Sequence, residues 1–202
     1  MKENRKGDIF MSLVNTPSGN RLHIGIFGKR NSGKSSLLNA ITGQEIALVS
    51  EVKGTTTDPV SKAMEIHPIG PCLLIDTAGF DDTGDLGNMR IEKTKAVLDK
   101  TDVAVVVFSD MQMELETQWI AMLRQRKIPI LAVVNQVDRI EQVQEIKRQI
   151  EQRFSLTPLL VSAKEKTGIS QMKHEILRLM PPDFEAQSLT GSLVQPEDVV
   201  LL

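Results

Sequence analysis

Tyrosine is absent from this chain, tryptophan and cysteine occur once each, and aromatics make up 3% of its 202 residues. With so few rings, the core has to be aliphatic. The single cysteine, Cys72, excludes an intramolecular disulfide and any cysteine-rich metal site within the chain. An excess of one charge is missing as well: 24 Lys and Arg face 26 Asp and Glu, for a formal net charge of −2. That balance leaves no electrostatic footprint for nucleic acid. Long apolar runs are also lacking, since stretches such as Val103 to Phe108 fall far short of the roughly 20 residues that span a bilayer. The basic start, Met1 to Asp8, has no apolar signal region behind it. The expected location is therefore cytoplasmic, with neither membrane nor nucleic acid as a partner.

What is present is ordinary for a folded protein, 41% hydrophobic and 25% charged, and long enough for one well-buried domain plus a tail. Residues 1–20 are polar and end on Thr16-Pro17-Ser18-Gly19-Asn20, a loop composition that reads as a flexible arm. Residues 21–180 alternate between two patterns. Strands are expected at 23–27, 60–67, 71–75, 103–109, 130–134 and 159–162, and helices at 35–42, 86–98, 111–127, 141–154 and 170–179. In the third of these helices Leu115, Trp119, Met122 and Leu123 fall at helical spacing. Pro68-Ile69-Gly70 predicts an antiparallel hairpin between the second and third strands. The remaining alternation predicts an α/β fold, a mostly parallel six-stranded sheet with helices on both faces. Residues 181–202 leave this rhythm and finish on Val199-Val200-Leu201-Leu202. An apolar, strand-prone run with nothing to cover it reads as the start of a truncated second domain.

The chemistry concentrates at Gly28-Lys29-Arg30-Asn31-Ser32-Gly33-Lys34-Ser35, a G-x-x-x-x-G-K-[ST] phosphate loop between an expected strand and an expected helix. Gly28 and Gly33 let backbone N–H groups of Asn31, Ser32 and Gly33 turn onto a phosphate. Lys34 supplies an ammonium to the β- and γ-phosphates, and Ser35 a hydroxyl to Mg²⁺ at a helix start that also favours anions. Four further motifs follow, most of them at strand ends, where doubly wound sheets place ligands. Asp76-Thr77-Ala78-Gly79 offers the Asp76 carboxylate to Mg²⁺ through water and the Gly79 N–H to a γ-phosphate. Gly54-Thr55-Thr56-Thr57-Asp58 offers the Thr56 hydroxyl to the same Mg²⁺. In Asn135-Gln136-Val137-Asp138, Asp138 can accept hydrogen bonds from the N1–H and amine of guanine, which adenine cannot offer, and Asn135 can tie this loop to the phosphate loop. Ser162-Ala163-Lys164 can present the Ala163 N–H to the guanine O6. Ser36, Thr55 and Lys164 complete the expected nucleotide contacts, and Lys34, Thr56 and Gly79 are the expected catalytic groups. Together the five motifs predict a site for GTP or GDP with Mg²⁺. A P-loop kinase would leave Asp138 and Ala163 without a task.

These residues resemble the Ras-like P-loop GTPases of the TrmE–Era–EngA–Septin branch, in which Asn stands where Asn31 stands here. More narrowly, residues 16–28, Gly54 to Val60, Lys62 to Ile66 and Pro68 to Pro71 resemble the HydF family of FeFe-hydrogenase maturation GTPases. The resemblance implies a Ras-like GTPase domain that hydrolyses GTP as a switch during assembly of the hydrogenase cluster. It also implies a longer protein, homodimeric, with an iron–sulfur domain, and with the hydrogenase and its radical maturases as partners. No iron–sulfur cluster is expected in this chain, because Cys72, His23, His67 and His174 lack metal-ligand spacing and read as structural. In related GTPases of the branch the Asn helps to hold K⁺, with first-switch carbonyls that would map to Ser50 and Val52.

Two departures stand out. Gln136 occupies the usual lysine position of the guanine motif, which points to weaker nucleotide binding. Phe80 stands where Ras-like enzymes carry the glutamine that positions water. Two other readings remain at this stage: a ribosome- or tRNA-associated GTPase of the same branch, which would want a basic appendage, and a GTP-binding module with incidental hydrolysis.

Overall fold

The computed structural model describes residues 21–43, 51–52, 61–76, 94–182 and 184. Its elements run β1 (Leu22–Gly28), α1 (Lys34–Thr42), β2 (Glu51–Val52), β3 (Ser61–Ile66), β4 (Gly70–Asp76), β5 (Val103–Phe108), α2 (Glu114–Gln125), β6 (Ile130–Val134), α3 (Val143–Phe154), β7 (Leu159–Leu160) and α4 (Ile169–Arg178). They form one sheet in the order β2-β3-β4-β1-β5-β6-β7. β1 runs parallel to both β4 and β5, the β5–β6 and β6–β7 pairs are parallel, and β3 is antiparallel to β4 as the Pro68-Ile69-Gly70 turn predicted. All six expected strands are present. β2 extends the sheet by one two-residue strand on the outer edge of β3, too short to show any alternation in sequence.

Burial explains why these segments are strands. β5 reads Val-Ala-Val-Val-Val-Phe and is buried at every position, as a central parallel strand covered on both faces must be. Its side chains divide by parity. Val103, Val105 and Val107 join Ile24, Ile26, Leu37, Ile41, Met172 and Ile176 under α1 and α4. Ala104, Val106 and Phe108 join Phe27, Trp119, Leu123, Ile146 and Phe154 under α2 and α3. The few rings present are concentrated in this second cluster, where Phe27 meets Trp119 at 6.3 Å and Phe108 meets Phe154 at 6.0 Å between centroids. Cys72 lies fully buried in the first cluster. Burial, with the Glu65 charge adding, pushes its thiol up to about 12, so it packs as a small apolar side chain.

The helices begin and end close to expectation, and each difference has a local cause. α2 starts at Glu114 rather than 111 because the Asp110 carboxylate accepts the Gln112 N–H at 2.8 Å and holds a turn ahead of the helix. Gly43 closes α1 with a positive φ and its N–H on the Asn39 carbonyl. β7 stops at Leu160 because Ser162 turns away to bridge Thr167. Of the helix expected at 86–98, residues 94–98 are described and helical. The expected arm at 1–20 lies outside the described residues, as does most of the expected tail; Phe184 packs against the first cluster. No described helix is long and apolar enough to cross a membrane.

The topology fixes where a ligand can sit. From β1 the sheet grows toward β4 on one side and toward β5 on the other, so the crevice at the carboxyl end of β1 is the switch point of the sheet. The phosphate loop leaves β1 there.

Candidate guanine-nucleotide site

The phosphate loop owes its shape to two left-handed residues, Asn31 at φ 63° and Gly33 at φ 83°. A Cβ on Gly33 would lie 2.5 Å from Asn135 Nδ2, so close approach and dihedral both require glycine. Gly33 also starts α1, its carbonyl accepting the Leu37 N–H at 2.8 Å. The first turn of α1 carries no acidic residue, which leaves its positive end available to an anion. Lys34 is buried, and its ammonium donates to the Gly28 carbonyl and to the Lys29 carbonyl at 2.8 Å. Ser35 and Ser36 are exposed in the same turn. The Ser32 N–H closes the loop on the Lys29 carbonyl at 3.2 Å.

The two loops expected to read the base are bonded onto this one. Asn135 is fully buried. Its amide donates to the Ser32 and Gly33 carbonyls at 3.0 and 3.4 Å, and its oxygen accepts the Ala163 N–H at 3.2 Å. One side chain thus joins three segments that lie far apart in the chain. The Ala163 N–H expected to meet guanine O6 is therefore engaged with Asn135, at a long distance that a base oxygen can share. Asp138 stands exposed beyond β6, and the Ser162 hydroxyl donates to it at 2.6 Å. That bond holds the Asp138 carboxyl below its ordinary pKa, aided by the Lys164 and Arg139 charges. The Ser162 oxygen itself accepts the Glu165 N–H at 3.1 Å.

Gln136 adds a contact that the sequence did not suggest. Itself left-handed at φ 64°, it donates its amide to the Asn31 carbonyl at 2.8 Å. The shorter, neutral side chain in the lysine position therefore still reaches the phosphate loop. A second missed contact involves Lys29, whose ammonium binds Asp110 and the Gln112 carbonyl. Nothing in the sequence marks it, since a lysine within a phosphate loop is first read as a ligand group.

The other expected site residues are distributed as follows. Asp76 ends β4 in register with Ile26 of β1, and Val52 lies in β2. Lys164 is exposed, 3.6 Å from Glu165. Ser50, Thr55, Thr56 and Gly79 lie outside the described residues. Of the histidines read as structural, His23 pairs with Asp102 at 3.0 Å, and His174 donates to the Ser170 carbonyl at 2.8 Å. The loop's buried ammonium, its unneutralised helix start and the exposed Ser35 hydroxyl fit a nucleotide phosphate chain with Mg²⁺.

A doubly wound sheet with such a loop at its switch point, stapled to an Asn–Asp pair beyond β6, defines a Ras-like P-loop guanine-nucleotide-binding domain. Residues 23–136 match the family described as 50S ribosome-binding GTPase, and the chain belongs to that GTPase family. GTPase Der of Wolinella succinogenes is 33% identical over 172 residues, 78% of this chain and 36% of its own length. The tRNA modification GTPase MnmE of Bordetella petrii is 38% identical over 162 residues, 78% of this chain and 33% of its own length. Era of Aquifex aeolicus, solved bound to GDP.AlF4-, shares the fold with a TM-score of 0.62 at 23% identity, over 79% of this chain and 56% of Era. The chain thus spans 36% and 33% of the two curated relatives.

Proposed function

We propose that the chain binds GTP with Mg²⁺ and hydrolyses it to GDP and phosphate, acting as a switch whose loops near 44–60 and 76–95 respond to the γ-phosphate. The observation that carries this reading is the single buried Asn135 joining the phosphate loop to both base-reading segments. In the proposed complex Asp138 accepts the guanine N1–H and amine, and guanine O6 shares the Ala163 N–H with Asn135. An adenine base would leave those groups unpaired, which is the basis of discrimination. Lys34 leaves the Gly28 and Lys29 carbonyls for the β- and γ-phosphates, and the Gly79 N–H meets the γ-phosphate. Mg²⁺, held by Ser35 and Thr56 with Asp76 through water, would offset charge on the phosphate oxygens.

Phe80 cannot orient water, so another cationic aid is proposed. Asn31, with the carbonyls of Ser50 and Val52, would hold K⁺ beside the phosphates, where an arginine finger contributes roughly 10³–10⁵ in rate in other GTPases. Support comes from Asn31 itself, fixed in a left-handed conformation by the Gln136 bond.

For the wider role, the sequence similarity at Gly54 to Val60 and Lys62 to Pro71 supports a cytoplasmic module in FeFe-hydrogenase cluster assembly. It would act within a dimeric, iron–sulfur-bearing protein alongside the hydrogenase and its radical maturases. A tRNA- or ribosome-associated role is the second reading, favoured by the similarity to MnmE.

The test is GTP turnover in matched KCl and NaCl for wild type, Asn31→Ala and Asp138→Asn. Wild type should turn over faster in KCl, Asn31→Ala should lose most of that response, and Asp138→Asn should trade GTP for xanthosine triphosphate. Equal wild-type rates in both salts would remove K⁺ from the mechanism. Unchanged GTP use by Asp138→Asn would refute the base site.

A further inference from the structure

Lys29 is the second residue of the phosphate loop, yet its ammonium points out of it. It bonds Asp110 Oδ1 at 2.5 Å and the Gln112 carbonyl, in the turn between β5 and α2. The same Asp110 oxygen accepts the Gln112 N–H at 2.8 Å, so the receiving turn is itself closed. The lysine side chain is only 18% exposed and meets a backbone carbonyl as well as a carboxylate. Its partner Asp110 is 48% exposed, so the charge pair alone is screened, and it is the second bond, to a backbone carbonyl of the same turn, that fixes where the ammonium is held.

The backbone of Lys29 faces the opposite way. Its carbonyl accepts the Lys34 ammonium at 2.8 Å and the Ser32 N–H at 3.2 Å. One residue thus anchors outward through its side chain and holds the loop's inner lysine through its carbonyl. A shift of the Asp110 turn moves Lys29, and with it the backbone of the phosphate loop that it shares with Asn31, Ser32 and Gly33. The placement of those amides against a β-phosphate depends on that backbone.

We propose that Lys29, Asp110 and the Gln112 carbonyl form a latch that positions the phosphate loop from α2 and sets the rate at which nucleoside diphosphate leaves. Lys29 is in this sense a positioning residue: its ammonium is turned away from the loop toward Asp110 and the Gln112 carbonyl, and it acts through the loop backbone. Because α2 begins at Glu114, two residues past Gln112, any displacement of the start of that helix is transmitted to bound diphosphate. The latch takes the guanine-nucleotide site as given.

The experiment measures dissociation of a fluorescent GDP analogue, together with the ³¹P resonance of the β-phosphate in the Mg²⁺–GDP complex. Wild type, Lys29→Met, Asp110→Asn, the double variant and Lys29→Arg are compared. Lys29→Met and Asp110→Asn should each speed release about tenfold and shift the β-phosphate resonance in the same direction. The double variant should do no more than either alone, because both remove one interaction. Lys29→Arg keeps a cation that reaches both acceptors and should restore slow release. Additive effects in the double variant, or release rates and resonances unchanged in the singles, would overturn the latch. Failure of wild type to bind GDP in the same assay would instead count against the nucleotide site, leaving the two claims separable.

Discussion

Asp138 is exposed but not free to choose its orientation or its charge. The Ser162 hydroxyl donates to it at 2.6 Å, and this bond, more than the flanking Lys164 and Arg139, lowers its pKa below the ordinary carboxylate value. A carboxyl with a lowered folded pKa contributes stability above its unfolded value and loses it as pH falls through the folded one. Asp138 thus keeps its charge across the neutral and mildly acidic range, and guanine recognition should not weaken between about pH 8 and pH 5. Ser162→Ala should weaken GDP binding severalfold and move the acid loss of affinity to higher pH. Calorimetric titration carried below about pH 5 checks it; an acid limb at the wild-type pH would mean that Ser162 does not govern the carboxylate. At this scale the sequence was informative where chemistry dictates residue type. Asn135 was legible because few side chains can tie that loop to the phosphate loop, as its amide does; the base contact of Asp138 is a proposal that rests on the same kind of reasoning. Gln136 was legible only as a departure. Its bond to the Asn31 carbonyl depends on two left-handed residues facing each other across 105 positions of chain, and no local pattern encodes that.

At the scale of the element, α2 shows how one helix serves both core and site. Trp119 and Leu123 are buried on the second face of the sheet, with Leu115 and Met122 partly buried beside them, the stripe that helical spacing predicted. Trp119 reaches across to Phe27, the residue of β1 just before Gly28 and the phosphate loop. Trp119→Ala should therefore cost about 3–5 kcal/mol of stability and also weaken GDP binding, through Phe27. Denaturant melts with and without Mg²⁺–GDP separate the two effects. A loss of stability with unaltered GDP affinity would show that the core contact does not reach the site. The helix's apolar stripe was legible, but its first residue was not. Residues 110–112, Asp-Met-Gln, permit either a helical turn or the Asp110-closed turn observed, and the Lys29 ammonium from another segment bonds that closed turn.

For the whole molecule, the wider role becomes a question of which partner changes turnover. If the domain serves hydrogenase-cluster assembly, purified radical maturases should alter its GTP turnover severalfold while tRNA and ribosomes leave it unchanged. The reverse result in the same steady-state assay would favour the RNA-associated reading. The sequence by itself determined the strand and helix alternation, because burial on two faces demands runs such as Val103 to Phe108. It determined the nucleotide chemistry too, because glycine, lysine, serine and aspartate at fixed spacing answer to the ligand's own geometry. Only the tertiary structure decided the order β2-β3-β4-β1-β5-β6-β7, which puts the carboxyl end of β1 at the switch point. It also decided that Asn135 would staple three segments, that Gln136 would hold Asn31 and that Lys29 would turn outward to Asp110. The physical reason is range: periodicity and motif spacing report interactions within a few turns of chain, whereas these bonds join residues 28 to 105 positions apart and exist only once the sheet has brought their loops to one edge.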